Sequence, residues 1–428
     1  MQTTYDVKRK TTEFELRDNV VERLGGRGTI AHTGISFRHY QYGYWPEVHD
    51  YEIAREVGKE LECAAAKGAA TPSYQKQMSV TNAMKVETFV APEQWDKHPE
   101  IIVFKNCALD TSSMETVEHD PEHYATTALP YSYDPTATAP IWNKVLDDLL
   151  GEQERGFLQE FAGYCLTSSV EHQMSLWIVG PPGGGKSTLI EGLEAMLGSL
   201  VGTLGLAALQ GSGGRFALAN IPGKTLLTCT ETPGGSTHIK ASDILNALIT
   251  GDTVPLEKKN KDLIAHKNTA KLLWAMNNLP SLYDPNNGLF RRVKLLEVPV
   301  IPHGKQDSKV IEQVKMEGAG IVNWALEGLR RLNERGHFDY PNSVQNATYE
   351  FKKSNDLPGL FLDECCDLTL DTNREYAGTL NKAFNEWAVD NGHTKWSGKS
   401  LAPNWKRHFG EPTRDKHGLF YNGVRLRK

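Results

Sequence analysis

The chain has 428 residues, 39% hydrophobic and 23% charged, with a formal net charge of −6. That length accommodates several packed units at about 100 to 200 residues each, and the acidic balance excludes a protein that coats nucleic acid over its whole surface. No apolar run approaches the roughly 18 residues that span a bilayer and the amino terminus lacks a signal-type apolar stretch, so the expectation is a cytoplasmic chain with no membrane partner.

In chain order, residues 1–140 read as an amino-terminal region with a connector. Within it "HDYEIAREVGKELECAAAKGAA" has a helical apolar period, "EIIVFKNCALD" reads as a short strand and turn, and "ALPYSYDPTATAPIW" reads as extended chain ending near Pro140. Helical periodicity returns over 141–172, with Val145, Leu149, Phe157, Phe161 and Leu166 as core candidates. From 173 to 305 short apolar runs ("SLWIV", "TLLTCT", "KLLWAM", "VKLLEVPV") alternate with helical patterns, which predicts an α/β layered unit. Helices resume over 306–345, and 346–428 ends in a basic tail. The six cysteines form no C-x-x-C pair and have no histidines at zinc spacing, so they read as reduced thiols.

The α/β segment carries the chemistry. Gly180, Pro181, Pro182, Gly183, Gly184, Gly185, Lys186 and Ser187 fit G-x-x-x-x-G-K-[ST], followed by Thr188, between a predicted strand and a predicted helix whose inward residues are Ile190, Leu193 and Leu197. Glycines let backbone amides approach phosphate oxygens, Lys186 would reach the β- and γ-phosphates of ATP, and the Ser187 hydroxyl would ligate Mg²⁺. Glu231 follows a second apolar run, where an acid would orient water and hold Mg²⁺ through its hydration shell; taken alone it also reads as an ordinary loop glutamate. Asn277, with Asn278, ends a third run and offers an uncharged amide to the γ-phosphate, or else a turn before Leu-Pro. Arg291 and Arg292 stand just before a fourth, where a guanidinium could face a neighbouring subunit's nucleotide.

Taken together, "FKNCALD", "YSYDPTATAPIW", "FAGYCLTSS", "GPPGGGKST", "GKTLLTCTET", "LITGDTV", "LLWAMNNLP" and "GLFRRVKLLEVP" resemble the superfamily 3 helicases, in the phage and plasmid primase-helicase branch that includes the poxvirus primase-helicase. The resemblance spans about residues 99–300. It implies an AAA+-like P-loop ATPase core at 173–305, a helical collar at 141–172, and a hexameric homo-oligomeric ring around a nucleic-acid strand in a replicating phage or mobile element, hence in the host cytoplasm. By the same resemblance Glu231 falls at the Walker B acid, Asn277 at the sensor and Arg292 at the arginine finger. Relatives often carry a primase domain ahead of the helicase; only about 95 residues precede the matched stretch, so this chain reads as the helicase part, with primase or polymerase as a separate partner.

Two basic segments fit that picture. In "TVPLEKKNKDLIAHKNTAK", Lys258, Lys259, Lys261, His266 and Lys267 cluster on a predicted β-hairpin, where similar helicases grip the phosphates of single-stranded DNA; Glu257 departs from the branch by standing where a basic residue is common. Outside the family context these lysines read as a solvated charge run. From Asn391 the tail carries nine Lys/Arg against two acids, interleaved with aromatics, and its pattern of helix, basic helix and glycine hairpin resembles a carboxy-terminal winged helix that would dock duplex DNA. Two rivals stay open: an ATPase that remodels or loads origin DNA without unwinding, and a small-molecule P-loop kinase, which gives no reason for the lysine hairpin or the basic tail.

Overall fold

A computed structural model describes residues 10–205, 209, 218–230, 238–240, 243–256, 264–283, 288–300, 309–368 and 373–427. Helix α1 (Glu13–Arg23) starts on a reciprocal cap in which Thr12 Oγ1 accepts from Glu15 N and Glu15 Oε2 accepts from Thr12 N. Strands β1 (Ile30–His32), β2 (Phe37–His39) and β3 (Glu47–Val48) form an antiparallel sheet, and α2 (Asp50–Ala66) and α3 (Tyr74–Glu87) pack with α1 and that sheet around Leu16, Val20, Phe37, Val57 and Met84. The helical period read in "HDYEIAREVGKELECAAAKGAA" is α2, and the unit around it also carries a small sheet. Its strands are two or three residues long, too short for a period of two to register in the sequence.

A second antiparallel sheet follows, of β4 (Ile101–Val103), β5 (Ala108–Asp110) and β6 (Glu115–Val117), and its Ile102 and Leu109 belong to a different core from that of α1–α3. Residues 1–140 thus comprise two packing units, not one region. The connector lies against the next layer: the Tyr131 hydroxyl donates to Ala195 O, and Asn323 Nδ2 donates to Asp134 O (2.8 Å) and Ala137 O (2.9 Å). Pro140 opens α4 (Pro140–Leu149) in the first turn, where its missing N–H costs nothing. Then comes α5 (Glu152–Leu166), and Val145, Leu149, Phe157, Phe161 and Leu166 are all buried.

The chain continues through β7 (Ser175–Val179), α6 (Lys186–Leu197), β8 (Val201–Thr203), β9 (Leu226–Cys229), β10 (His238–Lys240), α7 (Asp243–Thr250), β11 (Thr253–Leu256), β12 (Ile264–Lys267), β13 (Lys271–Met276), β14 (Ser281–Tyr283), α8 (Gly288–Arg292) and β15 (Val293–Glu297). Five of these strands form one parallel sheet in the order β15-β7-β13-β9-β8. Every residue of the central β13 is buried, as a strand covered on both faces requires. Side chains alternate between the faces: Leu176, Ile178, Leu273 and Leu296 meet the layer built from α4, α5 and α6, whereas Trp177, Trp274 and Leu295 meet α7.

Helices α9 (Val310–Met316) and α10 (Gly318–Arg335) complete the first layer. Gly163 of α5 faces Ala325 O of α10, and Gly328 of α10 faces Gln159 O of α5, so each missing side chain admits the other helix's backbone. The expected collar and the helices of 306–345 are therefore one layer on the sheet, packed together across a long stretch of intervening sequence.

Helix α11 (Asn342–Asn355) corrects the expected boundary at 346, which falls inside it. Thr348 Oγ1 accepts from Leu295 N of β15 (3.1 Å), Asn355 Oδ1 accepts from Leu282 N of β14 (2.6 Å), and Phe351 is buried beside Trp177. Beyond Asp356 a separate core begins. It comprises α12 (Leu357–Cys365), β16 (Cys366–Asp367), β17 (Arg374–Tyr376), α13 (Ala377–Asp390), α14 (Gly398–Phe409), β18 (Thr413–Asp415), β19 (Gly418–Asn422) and β20 (Arg425–Leu426), around Phe361, Phe384, Leu401 and Trp405. Among the described residues no helix is long and apolar enough to cross a membrane.

Candidate functional site

The glycine-rich loop joins the carboxyl end of β7 to the amino end of α6. Two neighbours fix its start: Gly180 N donates to Met276 O of β13 (3.3 Å), and Val298 N donates to Val179 O (2.8 Å). Gly185 caps α6 with φ 80, a left-handed conformation that favours glycine, and a Cβ there would stand 2.6 Å from Leu149 Cδ1. No side chain caps this 12-residue helix, so its first amides remain for another acceptor. That donor set, an uncapped helix end in a left-handed glycine turn, suits a phosphate group.

Lys186 is 8% exposed, and its Nζ donates to Gly180 O (2.6 Å) and Pro181 O (2.7 Å) of its own loop. Burial pulls the ammonium below the usual lysine value. Pro182, Gly183 and Ser187 are exposed, while Thr188 is half-buried. The Ser187 hydroxyl is thus open to a metal-bound ligand, one residue beyond the buried cation.

Asn277 and Asn278 leave β13 at the same edge and are exposed. The register Met276↔Val179 sets Asn277 level with Gly180 in adjacent strands. Strand β9 runs in the same direction, with Cys229 beside Trp274. Glu231, two residues past that strand, lies outside the described residues, as do Lys258, Lys259 and Lys261.

Arg292 is elsewhere. It precedes β15, whose first residue Val293 pairs with Ser175 at the start of β7, so a whole strand separates it from its own loop, about 17 Å at 3.3 Å per residue. Its Nη1 donates to Gly288 O (2.9 Å) and Asn246 Oδ1 (3.4 Å), and Nη2 to Gln173 Oε1 (3.5 Å), while Nε is buried without an acceptor among the described residues. Arg291 is exposed. The hairpin also leaves this amino-terminal edge: β11 and β12 pair antiparallel, with Val254 opposite His266 and Thr253 opposite Lys267, and β12 runs on into β13 through Asn268. His266 is half-buried and Lys267 exposed. Asn268 ties the hairpin base down by donating to Leu248 O (2.7 Å) and Ala270 O (2.8 Å).

Asn246 and Gln173, which hold Arg292, have no signal in the sequence, being isolated polar residues in helix and loop. Lys271 did carry one, as a charge opening an apolar strand. It is 2% exposed, donates to Thr167 O (2.5 Å), Ser169 O (3.2 Å) and Thr269 O (3.2 Å), and lies over the Tyr164 ring.

In the carboxy-terminal unit several tail cations are occupied: Lys406 pairs with Glu411, Arg407 with Asp356 and Arg427 with Asp367. Lys395, Lys399, Arg414, Lys416 and Arg425 have no carboxylate partner among the described residues. The basic helix expected in the tail is α14, and the glycine hairpin is β18–β19, closed by Asp415 Oδ1 accepting from His417 N and Gly418 N.

These features define a mixed α/β protein with a glycine-rich loop at one edge of a parallel sheet and a hairpin at the other. Residues 178–292 match the model of a family of unknown function (DUF5906), and residues 18–151 match a family described as D5 N terminal like. A protein of Invertebrate iridescent virus 3 named as helicase 121R is 22% identical over 376 residues, covering 78% of this chain and 39% of that protein. The uncharacterized mitochondrial protein ymf21 of Marchantia polymorpha is 28% identical over 114 residues, covering 23% of this chain and 63% of its own. The chain thus spans less than two thirds of either relative. Among solved structures, the apo C-terminal region of NrS-1 aligns with a TM-score of 0.51 at 11% identity, over 87% of this chain and 80% of that one, a likeness of fold.

Proposed function

We propose that this chain is an ATP-hydrolysing DNA helicase subunit of the superfamily 3 type, acting in replication as one protomer of a hexameric ring around a single strand. One observation carries the reading: the parallel sheet separates its functional residues between two edges. The loop and Asn277 leave the carboxyl edge, in the crevice where open α/β sheets bind ligands, and Arg292 and the hairpin leave the other. On this reading the sheet and its helical layer are an AAA+-like P-loop core.

Bound ATP with Mg²⁺ supplies the phosphoanhydride whose hydrolysis drives movement. Lys186 would meet the β- and γ-phosphates in place of its loop carbonyls, and Ser187 and Glu231 would hold the metal. Glu231 also orients the attacking water, and Asn277 donates a hydrogen bond to the γ-phosphate. Arg292 serves the next protomer. Lys258, Lys259 and Lys261, with His266 and Lys267, grip the threaded strand, and residues 356–427 act as a winged helix that docks duplex DNA through their unpaired cations. A separate primase or polymerase supplies the primer. The viral relative named as a helicase supports the class.

The deciding measurement is strand displacement on forked DNA with ATP. Wild type should unwind it. Lys186→Ala should lose nucleotide binding, whereas Glu231→Gln should bind ATP yet hydrolyse it about 100-fold or more slowly, because only the acid acts on the attacking water. DNA-stimulated hydrolysis without displacement would instead make the chain a loading ATPase.

A further inference from the structure

A cleft of 510 Å³ lies where the amino-terminal unit meets the base of the hairpin, on the opposite edge of the sheet from the glycine-rich loop. The amino-terminal unit contributes Arg38, Trp95 and Lys97 to its lining, and β12 contributes His266 and Lys267. The first group is packed in place. Arg38 lies over the Trp95 ring at 5.3 Å and donates to Trp45 O (2.5 Å), Trp95 packs edge-on against Trp45 and Tyr124, and Lys97 lies over the Tyr124 ring at 5.7 Å.

Three features of the cleft point to one kind of occupant. Lys97 and Lys267 are exposed and have no carboxylate partner among the described residues, so two cations from different parts of the chain line one cleft. Arg38 Nε and Trp95 Nε1 are donors with no acceptor among the described residues, so the surface they share is rich in donors and poor in acceptors. Ile35, 49% exposed, adds apolar surface at the mouth, with Phe89, 55% exposed, beside it across Gly34. The lining also holds acids. Asp96 accepts from Thr126 N (2.7 Å) and Oγ1 (2.6 Å), Asp96 and Glu47 both act on the Arg38 charge, and Glu171 is exposed beside a His172 whose pKa burial lowers, so the cations left for a ligand are Lys97 and Lys267.

We infer that this cleft binds single-stranded nucleic acid, holding phosphates on Lys97 and Lys267 and bases against the aromatic and aliphatic surface around Trp95 and Ile35. Alternating cations with flat apolar surface is how sequence-tolerant single-strand grooves work. The inference rests on the helicase reading, because β12 carries the strand from this cleft to the hairpin tip. The amino-terminal unit then guides the strand at the base of the hairpin, outside the grip of the tip lysines.

The test uses the full chain and fluorescent oligodeoxythymidylate, titrated over a range of salt. Lys97→Glu should weaken binding about fivefold or more and reduce the log–log salt slope by about 0.7, the value for one phosphate contact on a single strand, while Lys97→Arg restores both. The melting curve of Lys97→Glu, whose side chain is exposed, serves as the control for folding. Photo-crosslinking with a 5-iododeoxyuridine oligonucleotide should label the peptide containing Trp95. Wild-type slope and affinity in Lys97→Glu, with no label at Trp95, would overturn the inference and leave the helicase reading standing. Failure of the wild type itself to bind the oligonucleotide would overturn both. Displacement of the oligonucleotide by polyglutamate from wild type but not from Lys97→Glu would overturn it in favour of an acidic protein segment as the cleft's occupant.

Discussion

Lys271 shows what a single buried charge does to this fold. Its ammonium closes the turn from Thr167 to Ser169 onto the start of β13, and burial drives its pKa down to about 8 from 10.5. A folded value below the unfolded one means that this group's contribution is complete above pH 10.5 and is lost as the pH falls to 8. Lys271→Met should therefore cost about 1–3 kcal/mol at neutral pH, from carbonyls left without a donor, and its deficit against wild type should widen as the pH rises from 8 to 10.5. Denaturant melts of both proteins across that range check the sign; a constant gap would show that Lys271 titrates like a surface lysine. At this scale the sequence was legible wherever a residue belonged to a contiguous pattern. Gly180 to Ser187 read as a loop between strand and helix, which is where they stand between β7 and α6, and Asn277 read as the end of an apolar run, which is β13. Asn246, Gln173 and the Arg38–Trp95 pair carried no such signal, because each acquires its partner from remote sequence, and no local period encodes that.

Among the elements, four strands of the parallel sheet, β7, β9, β13 and β15, were the most readable, since buried parallel strands are continuous apolar runs bounded by turns, whereas the edge strand β8, three residues without a buried side chain, gave no such run. The helices were readable too, but not their affiliation. Whether α11 belongs to the core or to the tail depends on Thr348, Phe351 and Asn355 meeting β15, Trp177 and β14, contacts that the local pattern of α11 does not announce. The consequence is measurable. A chain ending at Asn355 should keep a cooperative melt and ATP hydrolysis while binding duplex DNA more weakly than the full chain at the same salt. One ending at Val344 removes the helix that covers β15 and should unfold at markedly lower denaturant or aggregate. Equal melts for the two truncations would mean that α11 is dispensable to the core; unchanged duplex affinity in the longer one would remove the docking role from the unit beyond Asp356.

For the molecule as a whole, the sheet sets Arg292 and the glycine-rich loop at opposite ends of neighbouring strands. No side chain bridges a strand's length, so Arg292 has no route to its own loop, and a catalytic role for it requires a second copy. In mixtures of wild-type and Arg292→Ala subunits, ATPase activity should then fall more steeply than the wild-type fraction. A straight line through the mixing series would confine each site to one chain. The same arrangement gives β15 a mechanical character. Arg292 leads into it, and at its far end Val298 is hydrogen-bonded beside the start of the loop, with one unbroken strand between them. In the proposed ring, a push on the loop of one subunit would displace the head of a rod whose foot meets the neighbour. Sites so joined would be stations on one driveshaft, their coupling carried by the five residues of β15.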